Sequence, residues 1–326
     1  MISIILPVRN GEKHLKMCLD SIVAQTEPHW ELIIVNNQST DRTAEIIDTF
    51  CRQDKRIHTV YNQGYPGIID ALQLGYQTAK GTFITRMDAD DLMPPQKLQQ
   101  LKEVLTTHGT GHVATGLVNY FSNEELKDGF LKYEKWLNQL TRHGINFQEI
   151  YKECVIPSPC WMVHRSDFDR CGAFHSSTYP EDYDLCFRFY EQGLKVIASQ
   201  QVLHLWRDHI QRNSRNDPHY ADQLFFELKL KFFMKIDRTP LVPLIISGAG
   251  RKGKKLAQLL IKENITFEWV SNNPHKVGHV IYGKTIKNEN EYTTPAQVLI
   301  AISGPAQQLA YQDWSKKEGF VPYLFC

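Results

Sequence analysis

The sequence predicts an α/β fold: a mixed sheet flanked by helices over residues 1–216, a connecting helix over 217–240, and a smaller second α/β domain over 241–326. Three observations predict it. At 326 residues the chain exceeds the roughly 100 to 200 residues of one domain. Short apolar runs alternate with stretches of helical periodicity through the first hundred residues. The alternation stops at Thr239-Pro240 and Pro243, where two prolines end a helical pattern, and then restarts.

Residues 3–8 form an apolar run that leads into Arg9-Asn10-Gly11, and Leu15, Leu19, Ile22 and Val23 follow at helical spacing before the run 32–35. A strand, helix, strand unit of this kind implies a right-handed crossover and a parallel pair. Ser39-Thr40-Asp41 supplies capping side chains for a helix through Ile46, Ile47 and Phe50. Residues 57–61 read as a strand, and a helix around 71–79 precedes a strand at 82–87. In such a sheet, ligands are expected beyond the carboxyl ends of the strands.

The pattern is weaker from 109 to 216, with helices near 124–142 and 183–192 and short strands near 113–118 and 196–198; this half is assigned to substrate contacts. Leu224, Phe225, Leu228, Phe232 and Ile236 recur at helical spacing within 220–236. The plain reading is a helix packed between domains; the alternative is membrane docking through Lys229, Lys231 and Lys235. Strands at 244–247, 266–270 and 298–302, with helices ending near 263 and 317, complete the chain.

Composition removes several function classes. Lys and Arg total 37 against 36 Asp and Glu, so no global basic field exists to hold nucleic acid. Apolar stretches fall short of the roughly 18 to 20 residues that span a bilayer. Residues 1–8 lack a basic leader and a small-residue cleavage site, and so read as a first strand rather than a signal peptide. Seven cysteines without a C-x-x-C pair suggest neither a disulfide framework nor a structural zinc site. The expected location is the cytoplasm, with association at the inner membrane face left open.

Chemistry enters at Arg86-Met87-Asp88-Ala89-Asp90-Asp91, where three carboxylates end an apolar strand at the ligand edge. Such a cluster of hard oxygens suits a divalent cation with a diphosphate. Its plain alternative is a strand exit with helix-capping aspartates before Pro94-Pro95.

The stretches Ile4-Ile5-Leu6-Pro7-Val8-Arg9-Asn10, Val35-Asn36-Asn37-Gln38-Ser39-Thr40-Asp41 and Ala79-Lys80-Gly81 through Asp91 resemble the family two, GT-A fold glycosyltransferases. Pro180-Glu181-Asp182-Tyr183-Asp184-Leu185 looks like that family's acceptor-side motif, and Trp206-Arg207-Asp208-His209 resembles its late histidine motif. The resemblance covers residues 1–215 and implies transfer of a sugar from a nucleotide diphosphate donor to a hydroxyl acceptor such as a growing glycan or a lipid-linked glycan. It implies Asp88 near the ribose and metal, Asp90 as ligand of Mn²⁺ or Mg²⁺, and His209 completing the coordination, with His204 as the competitor. Pro7, Arg9, Asn10 and Glu12 would hold base and ribose, and Asp70 and Arg86 would reach the donor sugar or phosphates. The chain departs from the family at Asn37 and Gln38, where Asp and Gly are frequent; the Asn37 carbonyl can still accept from uracil N3–H. Uridine is the first expectation for the base, with thymidine and guanosine as the alternatives.

Asp182 follows Pro180 and suits a first helical turn, whose N–H groups favour an ionised carboxylate able to act as general base. Glu181 stands beside it on the acceptor side, and Trp161 is an acceptor-side candidate whose plain alternative is a core residue. Gly248-x-Gly250-x-x-Gly253 follows a strand and opens a helix, the context of a nucleotide-binding turn in a small Rossmann-like domain. The second strand of that domain ends in Ser271-Asn272-Asn273, with no acidic residue for a ribose, which favours a structural or regulatory role.

The sequence thus predicts a metal-dependent, inverting hexosyltransferase using a UDP-sugar. The alternatives are a sugar nucleotidyltransferase, which needs a glycine-rich N-terminal phosphate loop that residues 8–11 do not form, and an NAD-binding or regulatory protein centred on 241–326.

Overall fold

The computed structural model describes residues 1–122, 126, 128–209, 222–292 and 294–326. The described residues fall into two compact units, one of Met1–Gln148 with Val155–Asp217 and one of Glu149–Cys154 with Pro218–Cys326. The expected boundary at 216, and the expected helix starts at 124 and 220, lie outside the described residues.

In the first unit, β1 (Ile2–Val8), β2 (Trp30–Asn36), β3 (Ile57–Tyr61) and β4 (Phe83–Arg86) alternate with α1 (Leu15–Val23), α2 (Thr43–Gln53) and α3 (Ile68–Thr78). Then come α4 (Lys97–His108), β5 (His112–Phe121), α5 (Asp128–His143), β6 (Trp161–His164), α6 (Arg165–Arg170), α7 (Glu181–Glu191) and β7 (Lys195–Arg207). The sheet order is β3-β2-β1-β4-β6-β5-β7, with β6 antiparallel to both neighbours and the other pairs parallel. Every residue of β1 and β2 is buried, which is why both read as continuous apolar runs: helices cover both faces of a parallel sheet. Ile2, Ile4, Leu6, Leu19, Leu32, Ile34, Met87, Leu98 and Leu101 share one core cluster. Each such side chain contributes about 1.5–3 kcal/mol of burial.

Helix α4 carries no reading in the sequence analysis, although Leu98, Leu101 and Leu105 are fully buried at helical spacing. Strand β7 is far longer than the expected 196–198. Its middle, Ser199-Gln200-Gln201, is polar and partly exposed, so the apolar signal breaks there, while the pairing with β5 continues through two register shifts. The extra length matters because it carries the chain past an isolated bridge between Leu92 and Leu205 to Asp208 and His209.

The second unit begins its C-terminal part with α8 (Asp222–Phe232), continued by a π turn over Phe233–Asp237. The six-stranded sheet that follows has β8 (Leu244–Ser247), β9 (Glu268–Ser271), β10 (Val280–Ile281), β11 (Lys284–Asn288), β12 (Gln297–Ile300) and β13 (Val321–Leu324), in the order β10-β11-β9-β8-β12-β13. It is parallel except for the β10–β11 hairpin, and α9 (Arg251–Lys262) and α10 (Pro305–Lys317) flank it. Tyr151, from the short segment that joins this unit, stacks on Phe325, meets Phe233 and Tyr323 edge-on, and donates to Asp237 Oδ2 at 2.6 Å. Lys229 is buried, with Nζ donating to the Lys152 carbonyl at 2.7 Å, so it is not part of a basic face offered to a membrane. Among the described residues, no helix is long and apolar enough to cross a membrane.

Candidate active site at the carboxyl edge of the first sheet

The carboxyl ends of β1, β2 and β4 lie on one edge, since Val8 pairs with Asn36 and Ile5 with Arg86. The loops beyond β1 and β2 are tied together. Asn10, at φ 53, accepts from Thr40 N through Oδ1, and its own N–H donates to Ser39 Oγ. Glu12 N donates to Asp41 Oδ2 and Glu12 Oε2 accepts from Arg42 N. Arg9 is exposed beside this pair, and Pro7 is buried in β1. The expected cap of α2 comes from Asp41, which accepts both the N–H and the hydroxyl of Thr43, at 3.0 and 2.5 Å.

Asn37 follows directly on β2. It is buried, its Oδ1 accepts from Asn62 Nδ2 at 2.7 Å, and its Nδ2 donates to the Pro66 and Gly67 carbonyls. The amide organises the loop 62–67, and its oxygen, with two lone pairs, keeps the capacity to accept from a further N–H. Asp70 is exposed in the first turn of α3, immediately after that loop.

Beyond β4 the three carboxylates take different partners. Asp88 Oδ1 accepts from Arg86 at 2.6 Å, and the Arg86 fork also reaches Glu181 Oε1 at 3.3 Å. Arg86 is 4% exposed, and its Nε meets no hydrogen-bond acceptor among the described residues. It holds two acids rather than projecting into open solvent toward a donor. Asp90 Oδ2 lies 2.8 Å from His209 Nε2, and both side chains are partly exposed. Asp91 is buried, accepting from Arg207 N at 2.8 Å and bonded to His204 Nε2 at 3.0 Å. Of the two candidate histidines, His204 therefore has both ring nitrogens engaged in the interior, the second facing Lys97 Nζ at 3.3 Å.

Three further residues shape this edge: Arg207, which lies within the late motif but to which the sequence assigns no role, and Lys97 and His14, which lie in no motif. Arg207 donates from Nε to the Asp90 carbonyl at 2.7 Å and lies over the Phe121 ring at 4.4 Å. Lys97 is fully buried behind the acidic loop. The His14 ring centre is 5.2 Å from that of His209, and burial, with Arg207, His209 and Lys13 adding, lowers its pKa to about 4, so it is a neutral imidazole.

Helix α7 starts at Glu181, with Pro180 as its N-cap. Asp182 Oδ1 accepts from Tyr183 N at 2.8 Å, yet the carboxyl is not held ionised by the helix start as expected. Burial, with the neighbouring Glu181 carboxylate and Asp88 adding, pushes its pKa up to about 7, against the pull of Arg86 and the Tyr183 N–H. Desolvation outweighs the helix terminus here. Asp184 is buried in an ion pair with Arg188 at 2.8 Å, which marks it as structural. Trp161 is corrected to a core residue: it is 2% exposed in β6 and packed among Phe168, Phe174 and Phe189, so no sugar can reach its face.

The fit of a cation rests on the Asp90–His209 pair. Among the described residues, no group of three or more His, Cys, Asp or Glu side chains could hold a metal ion. Two protein donors suit an ion whose other positions are filled by diphosphate oxygens and water, and imidazole favours Mn²⁺ over Mg²⁺.

In the second unit, Gly248 adopts φ +99, a Cβ on Gly253 would lie 2.0 Å from the Gly248 carbonyl oxygen, and one on Gly250 would meet open space. Those are the three demands of a glycine turn between strand and helix. The Asn272 N–H at the end of β9 donates to the Tyr311 hydroxyl, so the edge is closed by protein groups at that point.

Residues 3–172 match the description Glycosyl transferase family 2. The glycosyltransferase GlyG of Streptococcus pneumoniae is 31% identical over 216 residues, covering 64% of this chain and 70% of GlyG. The putative teichuronic acid biosynthesis glycosyltransferase TuaG of Bacillus subtilis is 31% identical over 116 residues, 36% of this chain and 46% of TuaG. Among solved structures, S. aureus TarS 1-349 in complex with UDP-GlcNAc aligns with a TM-score of 0.56 at 16% identity, over 79% of this chain and 71% of that one. The mannosyltransferase PcManGT of Pyrobaculum calidifontis, in complex with GDP-Man and Mn²⁺, aligns with a TM-score of 0.53 at 17% identity, over 74% and 65%. The two structural likenesses carry the GT-A type fold of the first unit. The edge that holds Asp88, Asp90 and Asn10 lies inside the matched region, and the chain belongs to glycosyl transferase family 2.

Proposed function

We propose that the chain is a metal-dependent, inverting glycosyltransferase that moves a hexose from a UDP-sugar to a hydroxyl of a glycan or lipid-linked glycan. One observation carries the reading: Arg86 ties Asp88, on the acidic loop, to Glu181, at the start of the helix that bears Asp182. A donor group and a candidate base are thereby held at one edge of one sheet. TarS bound to UDP-GlcNAc and PcManGT bound to GDP-Man with Mn²⁺ support the donor class and the cation.

Asp182 has a pKa near the working pH, which suits a group that must lose a proton before the reaction and accept one during it. Its carboxylate takes the proton of the acceptor hydroxyl as that oxygen bonds to the anomeric carbon and the bond to the diphosphate oxygen breaks. A single displacement of this kind inverts the configuration. Asp90 and His209 would hold Mn²⁺ or Mg²⁺, which when bound offsets the charge of the departing diphosphate. Arg86 keeps Asp88 oriented and its positive charge favours the ionised form of Asp182.

The test is to incubate the purified protein with UDP-, dTDP- and GDP-sugars and a panel of hydroxyl acceptors, with Mn²⁺ or with EDTA. Cation-dependent release of nucleoside diphosphate is the expected result. Absence of nucleoside diphosphate release there, with release of pyrophosphate in a parallel incubation with NTPs and sugar 1-phosphates, would identify a nucleotidyltransferase and overturn the reading.

A further inference from the structure

Behind the Asp90–His209 pair runs a chain of buried polar contacts that the proposed chemistry does not use. Asp91, His204 and Lys97 are 1%, 0% and 0% exposed. Lys97 Nζ donates to the Pro159 carbonyl and faces His204 Nδ1 at 3.3 Å, and His204 Nε2 faces Asp91 Oδ2 at 3.0 Å. Asp91 Oδ1 accepts from Arg207 N, and the Arg207 guanidinium returns to the Asp90 carbonyl at 2.7 Å. Between them, Leu92 and Leu205 exchange two backbone bonds of 3.0 Å. The acidic loop and the end of β7 are thus joined at every residue from 90 to 92.

We propose that Asp91, His204 and Lys97 form a positioning relay that fixes the acidic loop against the end of β7 and so sets the Asp90–His209 spacing required for cation binding. The proposal rests on the metal reading above. A carboxylate only accepts, so His204 must carry its proton on Nε2 and present a bare Nδ1 to Lys97. A ring whose two nitrogens have fixed and opposite roles cannot flip, and the backbone of 204–209 is held with it. Groups that orient ligands in this way typically alter metal affinity by about 10- to 100-fold when removed.

The test uses the full chain with Mn²⁺ and UDP as probes. UDP affinity is measured with and without Mn²⁺, and histidine ring nitrogens are followed by ¹⁵N NMR, for the wild type, His204→Leu, His204→Gln and Leu101→Ala. The wild type is expected to show a His204 Nε2–H proton and a gain in UDP affinity from Mn²⁺. His204→Leu should lose about 10- to 100-fold of that gain, leave Mn²⁺-free UDP binding unchanged and shift the His209 resonances. His204→Gln, which can still donate to Asp91, should recover most of it. Leu101→Ala lowers stability in the same core and should keep the gain, which separates positioning from mere loss of fold. A full Mn²⁺ gain in folded His204→Leu would overturn the relay. If the wild type shows no Mn²⁺ gain, the metal reading fails, and unchanged His209 resonances in His204→Leu would then overturn the relay as well.

Discussion

The Arg86 guanidinium lies 3.3 Å from Glu181 Oε1, joining the end of β4 to the start of α7. Both side chains are almost fully buried, at 5% and 8% exposure, so the contact acts in a medium that screens it weakly. Arg86 is also the cation that lowers the proton affinity of Asp182. Arg86→Met should therefore raise the Asp182 pKa further and move the acidic limb of the pH–rate profile to higher pH. A profile of kcat against pH for the two proteins checks this; an unmoved limb means that Arg86 does not act on the base.

The same carboxyl has a consequence for stability. A folded-state pKa raised to about 7 means that the folded chain binds more protons than the unfolded chain between about pH 4 and 7, so this group's contribution falls as pH rises through that window. Asp182→Asn resembles the protonated form and escapes the loss. Thermal unfolding should show the variant more stable than the wild type at pH 8, with the difference shrinking toward pH 5.

Asp90→Ala should abolish the Mn²⁺-dependent part of UDP binding. His209→Ala should reduce that part by more than about 100-fold, a larger loss than for His204→Leu, because His209 shares the partly exposed pair with Asp90 while His204 is sealed inside. Isothermal titration with and without Mn²⁺ ranks the three. The reverse order of the histidines would return the ligand role to His204.

Trp161→Ala should cost about 3–5 kcal/mol of stability, the usual range for deleting a large aromatic from a core. In protein that remains folded, the acceptor KM should stay near the wild-type value. A specific rise in acceptor KM with unchanged stability would restore Trp161 to the acceptor side.

Much of the first half was legible because its strands are buried on both faces. The runs 3–8 and 32–35 could hardly be anything else, and each loop that follows them carries its own polar code in Asn10, Asp41 and Asp88. The length of β7 was not legible, since a strand that passes through Gln200 and Gln201 loses its apolar signal while keeping its backbone pairs. For the same reason the partners of Asp91 were hidden. His204 and Lys97 are 107 residues apart and meet only after α4 and β7 pack. The family resemblance ranked His209 above His204, but only the interior bonds of His204 give the physical ground. Trp161 was misjudged because its residue type advertised chemistry that burial had already assigned to the fold.

The central claim is that Asp182 removes the acceptor proton, and the rate of Asp182→Asn tests it most directly once a donor and acceptor are in hand. Asparagine keeps the shape but cannot take a proton at neutral pH. The expected result is a fall in kcat of about 10²- to 10⁴-fold with donor affinity little changed. Turnover above about a tenth of the wild-type rate would contradict the assignment and pass the base role to another group at this edge.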